Sequence, residues 1–216
     1  MRKLKLVITG TGACATGAYA QYLTAAGMPC GHERIFGVRG YEWALKRLEQ
    51  PECKEADSSW LAAPWLDDPI LEGAFVVHLV RDPISWMESV MNVTGGKGIY
   101  YQYAVRWDTR MEELGRTWNG YANRWVFWNE MIERKAVGHE YLRIDIARNQ
   151  IEIMSQLAER LPLYVNPNQQ IYRRRHINSH HVVTIGKQRE TFSRAQIDND
   201  VWTEVERLAE RYGYIL

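Results

Sequence analysis

The chain has 216 residues, 46% of them hydrophobic and 25% charged, which is a globular composition long enough to build one good core and is read as a single domain over residues 1–216. A net charge of +1 gives no global electrostatic case for nucleic acid or for a membrane surface. Three cysteines (Cys14, Cys30 and Cys53) form no CxxC pair and no zinc spacing, and so low and odd a count points to a reducing, cytoplasmic compartment with no metal.

In chain order, Met-Arg-Lys leads at once into an apolar run, Leu4 to Ile8, too short for a signal peptide and read as a buried strand. The small-residue stretch Thr9-Gly10-Thr11-Gly12-Ala13-Cys14-Ala15-Thr16-Gly17 follows. Tyr19, Tyr22, Leu23 and Ala26 then recur at helical spacing, predicting a helix over 15–26 stopped by Gly27. A short helix is expected over 38–50, and 51–70, rich in Pro, Asp and Ser, reads as loop. Phe75 to Val80 is a second buried strand, ended by Arg81-Asp82-Pro83, with a helix over 84–93 after it. Residues 94–103 read as a glycine-rich segment. Trp118, Tyr121, Trp125, Trp128 and Ile132 make one stripe of a long helix over 117–135. Glu140 to Asp145 is a third strand, 149–160 another helix, and Val201 to Tyr212 a last helix that Gly213 stops. No run approaches a membrane span. Strands alternating with helices imply an α/β fold, a mainly parallel sheet covered on both faces as a three-layer sandwich.

A strand, a small-residue turn and a helix form a cradle for phosphate or sulfate, because backbone N–H groups converge where side chains stay small and the helix N-terminus adds its positive end. The nucleotide-triphosphate motif G-x-x-x-x-G-K-[ST] is not met: Gly12 and Gly17 have the spacing, but Ala18-Tyr19 follow. The dinucleotide fingerprint fails too, since Ala15 stands at its third glycine. Arg81 ends a strand, and Ser89 lies eight residues later on the next helix. A guanidinium and a hydroxyl held in this way can grip one phosphate. Residues 173–194 carry Arg173, Arg174, Arg175, Lys187, Arg189 and Arg194, with His176, His180 and His181 among them. Such a run is either a solvated face or a basic lid over an anion.

A small-residue loop after the first strand, then R-D-P with a serine eight residues after the arginine, resembles the PAPS-dependent sulfotransferases of bacterial and phage type. These carry a P-loop, nucleotide-kinase-like fold. Cys30-Gly31-His32-Glu33, Ser58-Ser59-Trp60, Trp125-Val126-Phe127-Trp128-Asn129 and the closing Tyr212-Gly213-Tyr214 are similar to bacterial members as well. The resemblance implies transfer of a sulfuryl group from PAPS (3′-phosphoadenosine 5′-phosphosulfate) to an acceptor hydroxyl or amine, with 3′,5′-ADP as product and no metal. Carried over, Gly10, Thr11, Gly12, Ala13, Cys14, Ala15, Thr16 and Gly17 hold the 5′-phosphosulfate. Arg81 and Ser89 hold the 3′-phosphate, and Lys187 and Arg189 belong to a late basic segment closing over the nucleotide, with Arg194 in the same region.

Glu33 is the expected base and His32 the alternative, an imidazole titrating near neutrality. Trp60, Trp65, Trp86 and Trp107 are candidates to stack on a sugar or aromatic acceptor. The acceptor class, small molecule or carbohydrate among others, stays open. One departure matters. The family's loop carries a basic residue where this chain has Ala13, and a glycine where it has Ala15. Lys187 or Arg39 is a candidate to replace that charge. The rival readings are a PAPS- or 3′,5′-ADP-binding protein with weak or lost chemistry, and a small-molecule kinase.

Overall fold

The computed structural model describes residues 3–92, 97–147, 150–163 and 190–216. Its elements run β1 (Leu6–Gly10), α1 (Thr16–Ala25), β2 (Cys30–His32), α2 (Tyr41–Glu49), β3 (Ala56–Ser58), β4 (Phe75–Val80), α3 (Pro83–Asn92), α4 (Lys97–Ala104), α5 (Thr109–Leu114), α6 (Trp118–Lys135), β5 (Tyr141–Asp145), α7 (Gln150–Ala158) and α8 (Asn199–Tyr212), with single turns of 3-10 helix between some of them. The fold is α/β. Five strands form one sheet in the order β2-β3-β1-β4-β5, every neighbouring pair parallel. No helix among the described residues is long and apolar enough to cross a membrane.

By its contacts the chain divides into two compact units, Met1–Val80 with Met131–Ile177, and Arg81–Glu130 with Asn178–Leu216. The first unit holds the whole sheet. Every residue of β1 and of β4 is buried, as expected of central parallel strands covered on both faces. Gly10 closes β1 opposite Leu79, where a Cβ would lie 2.6 Å from the Leu79 carbonyl oxygen, so the two strand ends approach as only glycine allows. At the outer edge, β5 exposes Arg143, which pairs with Glu133 at 3.3 Å and keeps the edge charged.

Two strands lie where the sequence reading placed none. β2 and β3 are three residues each, Cys-Gly-His and Ala-Asp-Ser, too short for any apolar alternation to show. The stretch read as loop over 51–70 therefore contains β3, and it also contains 3-10 turns at Trp60–Trp65 and Pro69–Leu71. The remaining expected elements stand within a few residues of their predicted bounds; α4 and α5 were not predicted.

The second unit packs around tryptophan. Trp86, Trp118, Trp125, Trp128 and Trp202 are buried. The guanidinium of the buried Arg124 lies 5.5 Å from the Trp86 ring and 5.8 Å from the Trp128 ring, where each ring face stabilises the desolvated cation. Trp125 meets Tyr212 edge to face at 5.9 Å, and Phe192 stacks on Trp202 at 5.6 Å.

Candidate functional site

The site in the first unit begins where β1 ends. Gly10 is the last residue of that strand, and Thr16 and Gly17 already belong to α1, so the loop proper is Thr11 to Ala15. Gly12, Ala13 and Ala15 take left-handed φ values of 76°, 49° and 60°. For the two alanines that conformation costs about 1–2 kcal/mol each, and such strain gathers where function holds it. Thr11 Oγ1 lies 3.0 Å from Cys14 Sγ, a contact closed inside the loop. No side chain caps α1 at Ala15, and its first turn carries no acidic residue. The helix thus presents its positive end beside a loop whose side chains at positions 12 to 15 are all small.

β2 and β3 bring the next residues to this helix end. The Ser58 hydroxyl donates to the Thr16 carbonyl at 2.8 Å, tying β3 to the first turn of α1. Thr16 Oγ1 stands 3.3 Å from His32 Nε2. His32 Nε2 in turn stands 3.8 Å from Glu33 Oε1. The two side chains are 46% and 31% exposed, so solvent reaches both. Partial burial, and then the positive charge of Arg34, hold the His32 ring below its ordinary value, which keeps it neutral at pH 7. Glu33 is displaced the other way. Burial raises its carboxyl, the Asp57 charge adds to the rise, and a hydrogen bond from the Trp60 side chain pulls it partly back.

Glu33 itself has a left-handed φ of 53°, and its N–H donates to the Ser58 carbonyl at 3.2 Å. The turn that follows is held from below. Asp57 is fully buried on β3 and accepts from the N–H groups of Arg34 at 3.2 Å, Ile35 at 3.3 Å and Phe36 at 3.1 Å. Sequence reading did not single out Asp57, because a carboxylate in a Pro-, Asp- and Ser-rich stretch looks like an ordinary turn residue. Its only trace is the small Ala-Asp-Ser triplet flanked by charge.

Of the other predicted residues, Arg39, Trp60 and Trp65 belong to the first unit, Arg81, Trp86, Ser89, Trp107 and Arg194 belong to the second, and the rest lie outside the described residues. Arg81 follows β4 directly, and its carbonyl accepts from Trp125 Nε1 at 3.1 Å. Asp82 accepts from the Ser85 N–H at 2.7 Å with Pro83 behind it, a helix cap, which agrees with a structural role for this acid. Ser89 is half-buried on α3. Glu190 and Phe192 are hydrogen-bonded to the same helix. Glu190 N–H donates to Asn92 Oδ1 at 2.9 Å, and Phe192 N–H donates to Glu88 Oε1 at 3.0 Å. Lys187, Arg189 and the run from Arg173 to His181 lie outside the described residues.

Arg194 is committed locally, donating to the Ile197 carbonyl and to Asn199 Oδ1 at 2.6 and 2.7 Å. Arg39 stacks over Trp43 at 4.4 Å. Trp60 and Trp86 are core residues, 2% and 0% exposed, with no face to offer an acceptor. Trp65 is half-buried against Tyr41, ring centres 4.7 Å apart. Trp107 is half-buried and lines a cleft of about 440 Å³ with Asp108, Asn123 and Phe127. Neither a family model nor a curated protein matches the chain.

Proposed function

We propose that this protein is a PAPS-dependent sulfotransferase of the P-loop, nucleotide-kinase-like type. The observation that carries the reading is the meeting of Thr16, His32 and Glu33 beside an uncapped helix N-terminus that the chain enters through left-handed small residues. That arrangement has the requirements of sulfuryl transfer: an anion cradle, and a carboxylate next to it. The loop residues fit a phosphosulfate because positions 12 to 15 carry only small side chains and the first helical turn brings no competing carboxylate.

PAPS supplies the sulfuryl group. In the proposed step the acceptor oxygen forms a bond to sulfur as the bond from sulfur to the bridging phosphate oxygen breaks. Glu33 accepts the acceptor's proton, and the electron pair leaves on the phosphate of 3′,5′-ADP. Burial, with the Asp57 charge, raises the carboxyl of Glu33 and makes it a better base. The neutral His32 ring orients Thr16 and supports Glu33. Backbone donors of the loop and the end of α1 take the charge developing on the leaving phosphate. Arg81 and Ser89 hold the 3′-phosphate, as the resemblance implies. The hydrogen bonds of Glu190 and Phe192 to Asn92 and Glu88 of α3, which lie on either side of Ser89 in sequence, support a role for the basic segment just before them.

One observation favours a second reading, a nucleotide-binding protein with little chemistry. At Ala13 a left-handed methyl stands where the resembled family has its cation. Incubation with sulfur-labelled PAPS and a panel of hydroxyl and amine acceptors separates the two. Labelled product supports the transferase. Binding of 3′,5′-ADP with no transfer to any acceptor, water included, supports the binder. Stabilisation by ATP with Mg²⁺ but not by 3′,5′-ADP supports a kinase instead.

A further inference from the structure

We propose that Asp57 is a positioning residue of the reaction, its buried carboxylate clamping the turn over residues 33–36 and so aiming Glu33 and His32 at the loop. The inference rests on the sulfotransferase reading, and it adds a residue that the sequence motifs do not contain.

The geometry is specific. β3 is three residues long, and Asp57 is its middle residue, paired with Val7 of β1 and Gly31 of β2. From there its two oxygens take three consecutive backbone N–H groups, Arg34 on Oδ1 and both Ile35 and Phe36 on Oδ2. Three donors converging on one side chain require the chain to curl tightly just after β2. The left-handed φ at Glu33 is the residue that makes that curl. Gly31 is part of the same device. A Cβ there would lie 2.4 Å from Asp57 Oδ1 and 3.0 Å from Arg34 Cβ, so no side chain at position 31 leaves the carboxylate in place. Ser59 fastens the far end of the turn by donating to the Phe36 carbonyl at 2.6 Å. The turn carrying Glu33 is therefore fixed at both ends by β3 and the residue after it.

The carboxylate also acts on the groups around it through its charge. Glu33 is raised partly by Asp57, and so is Cys30 on β2. Lys54 acts the other way on Cys30 and on Asp57 itself, lowering both. Asp57 thus sets the direction of the Glu33 side chain and part of its basicity, without touching substrate.

The test compares wild type with Asp57→Asn in three measurements: 3′,5′-ADP affinity, turnover of labelled PAPS, and the pH profile of that turnover. The expected result is 3′,5′-ADP affinity within about 3-fold of wild type, turnover lower by at least about 30-fold, and an acid limb moved to lower pH because the charge that adds to the burial of Glu33 is gone. Turnover within 3-fold of wild type, or an unmoved acid limb, overturns the proposal. Wild-type protein that binds no 3′,5′-ADP sinks the sulfotransferase reading itself, which is a separate result. A measurement on wild type alone covers a variant that does not fold. The amide resonances of Arg34, Ile35 and Phe36 are expected to titrate together with a midpoint near that of the Asp57 carboxyl, and three amides that stay flat or move apart overturn the clamp.

Discussion

Thr16 and His32 meet at 3.3 Å, Oγ1 to Nε2, joining the first turn of the first helix to the end of a three-residue strand. Glu33, the next residue, stands 3.8 Å from the same ring nitrogen. With His32 held neutral by partial burial and by Arg34, this is a contact of oriented dipoles and a carboxylate at pH 7, not an ion pair.

That arrangement puts the proton-accepting role on Glu33. Glu33→Gln is expected to lower PAPS turnover by about 10²–10⁴-fold while leaving 3′,5′-ADP affinity within a few-fold of wild type. His32→Ala is expected to cost less, since the ring positions rather than accepts. Steady-state kinetics alongside a binding titration checks both, and a Glu33→Gln protein with full turnover removes it as the base.

Stability should carry the signature of Asp57. Burial raises its carboxyl from the ordinary 3.8 to about 6, with its three backbone donors and Lys54 pulling the other way. The folded state therefore holds a proton that the unfolded chain has already released. That contribution is fully present below about pH 4 and is lost as pH rises through about 6, a difference on the order of 2–3 kcal/mol across the window. Glu33 acts with the same sign and His32 with the opposite one, because its folded value is depressed. Melting curves of wild type and Asp57→Asn from pH 4 to 7 should therefore converge or cross, with wild type losing ground as pH rises. Parallel curves would contradict the assignment.

Ala15 sits at φ 60°, ψ 20°, where a methyl is strained and a glycine is not. Ala15→Gly is expected to be neutral or to stabilise by up to about 1 kcal/mol, since relief of left-handed strain outweighs the added freedom of the unfolded chain. Ala15→Val is expected to destabilise by more than about 2 kcal/mol. Denaturant midpoints at constant slope read both.

The loop's missing cation has a direct test as well. Ala13→Arg restores a positive charge at a left-handed position beside the proposed leaving group. It is expected to raise PAPS turnover by at least about 10-fold, a fraction of the roughly 10²–10³-fold that one preorganised donor supplies. Unchanged turnover would show that the charge is supplied from another residue.

Parts of this molecule were legible in the amino-acid pattern and parts were not, for physical reasons. β1 and β4 are continuous buried apolar runs, and α6 and α8 repeat their tryptophans and valines at helical spacing, so their cores announce themselves. Gly213 marked a real stop, with its φ at 86°. β2 and β3 were invisible because Cys-Gly-His and Ala-Asp-Ser have no apolar face to show; they are strands because β1 offers an edge to β3, and β3 in turn offers one to β2. The motif residues Thr16, His32 and Glu33 were readable, and the structure brings them together. Asp57 was not readable, since nothing in a turn-rich stretch tells a buried acceptor of three backbone bonds from a solvated acid. The aromatic candidates divided by burial alone: Trp60 and Trp86 are sealed in the core, which residue type could not reveal.

The central claim is that this chain recognises a doubly phosphorylated adenosine, and calorimetric titration of wild type and Arg81→Ala with 3′,5′-ADP tests it most directly. The account predicts one saturable site on wild type and an affinity about 30- to 100-fold weaker in the variant, the loss expected of a charge-assisted phosphate contact. Absence of binding to wild type, or equal affinity in the two proteins, would contradict it.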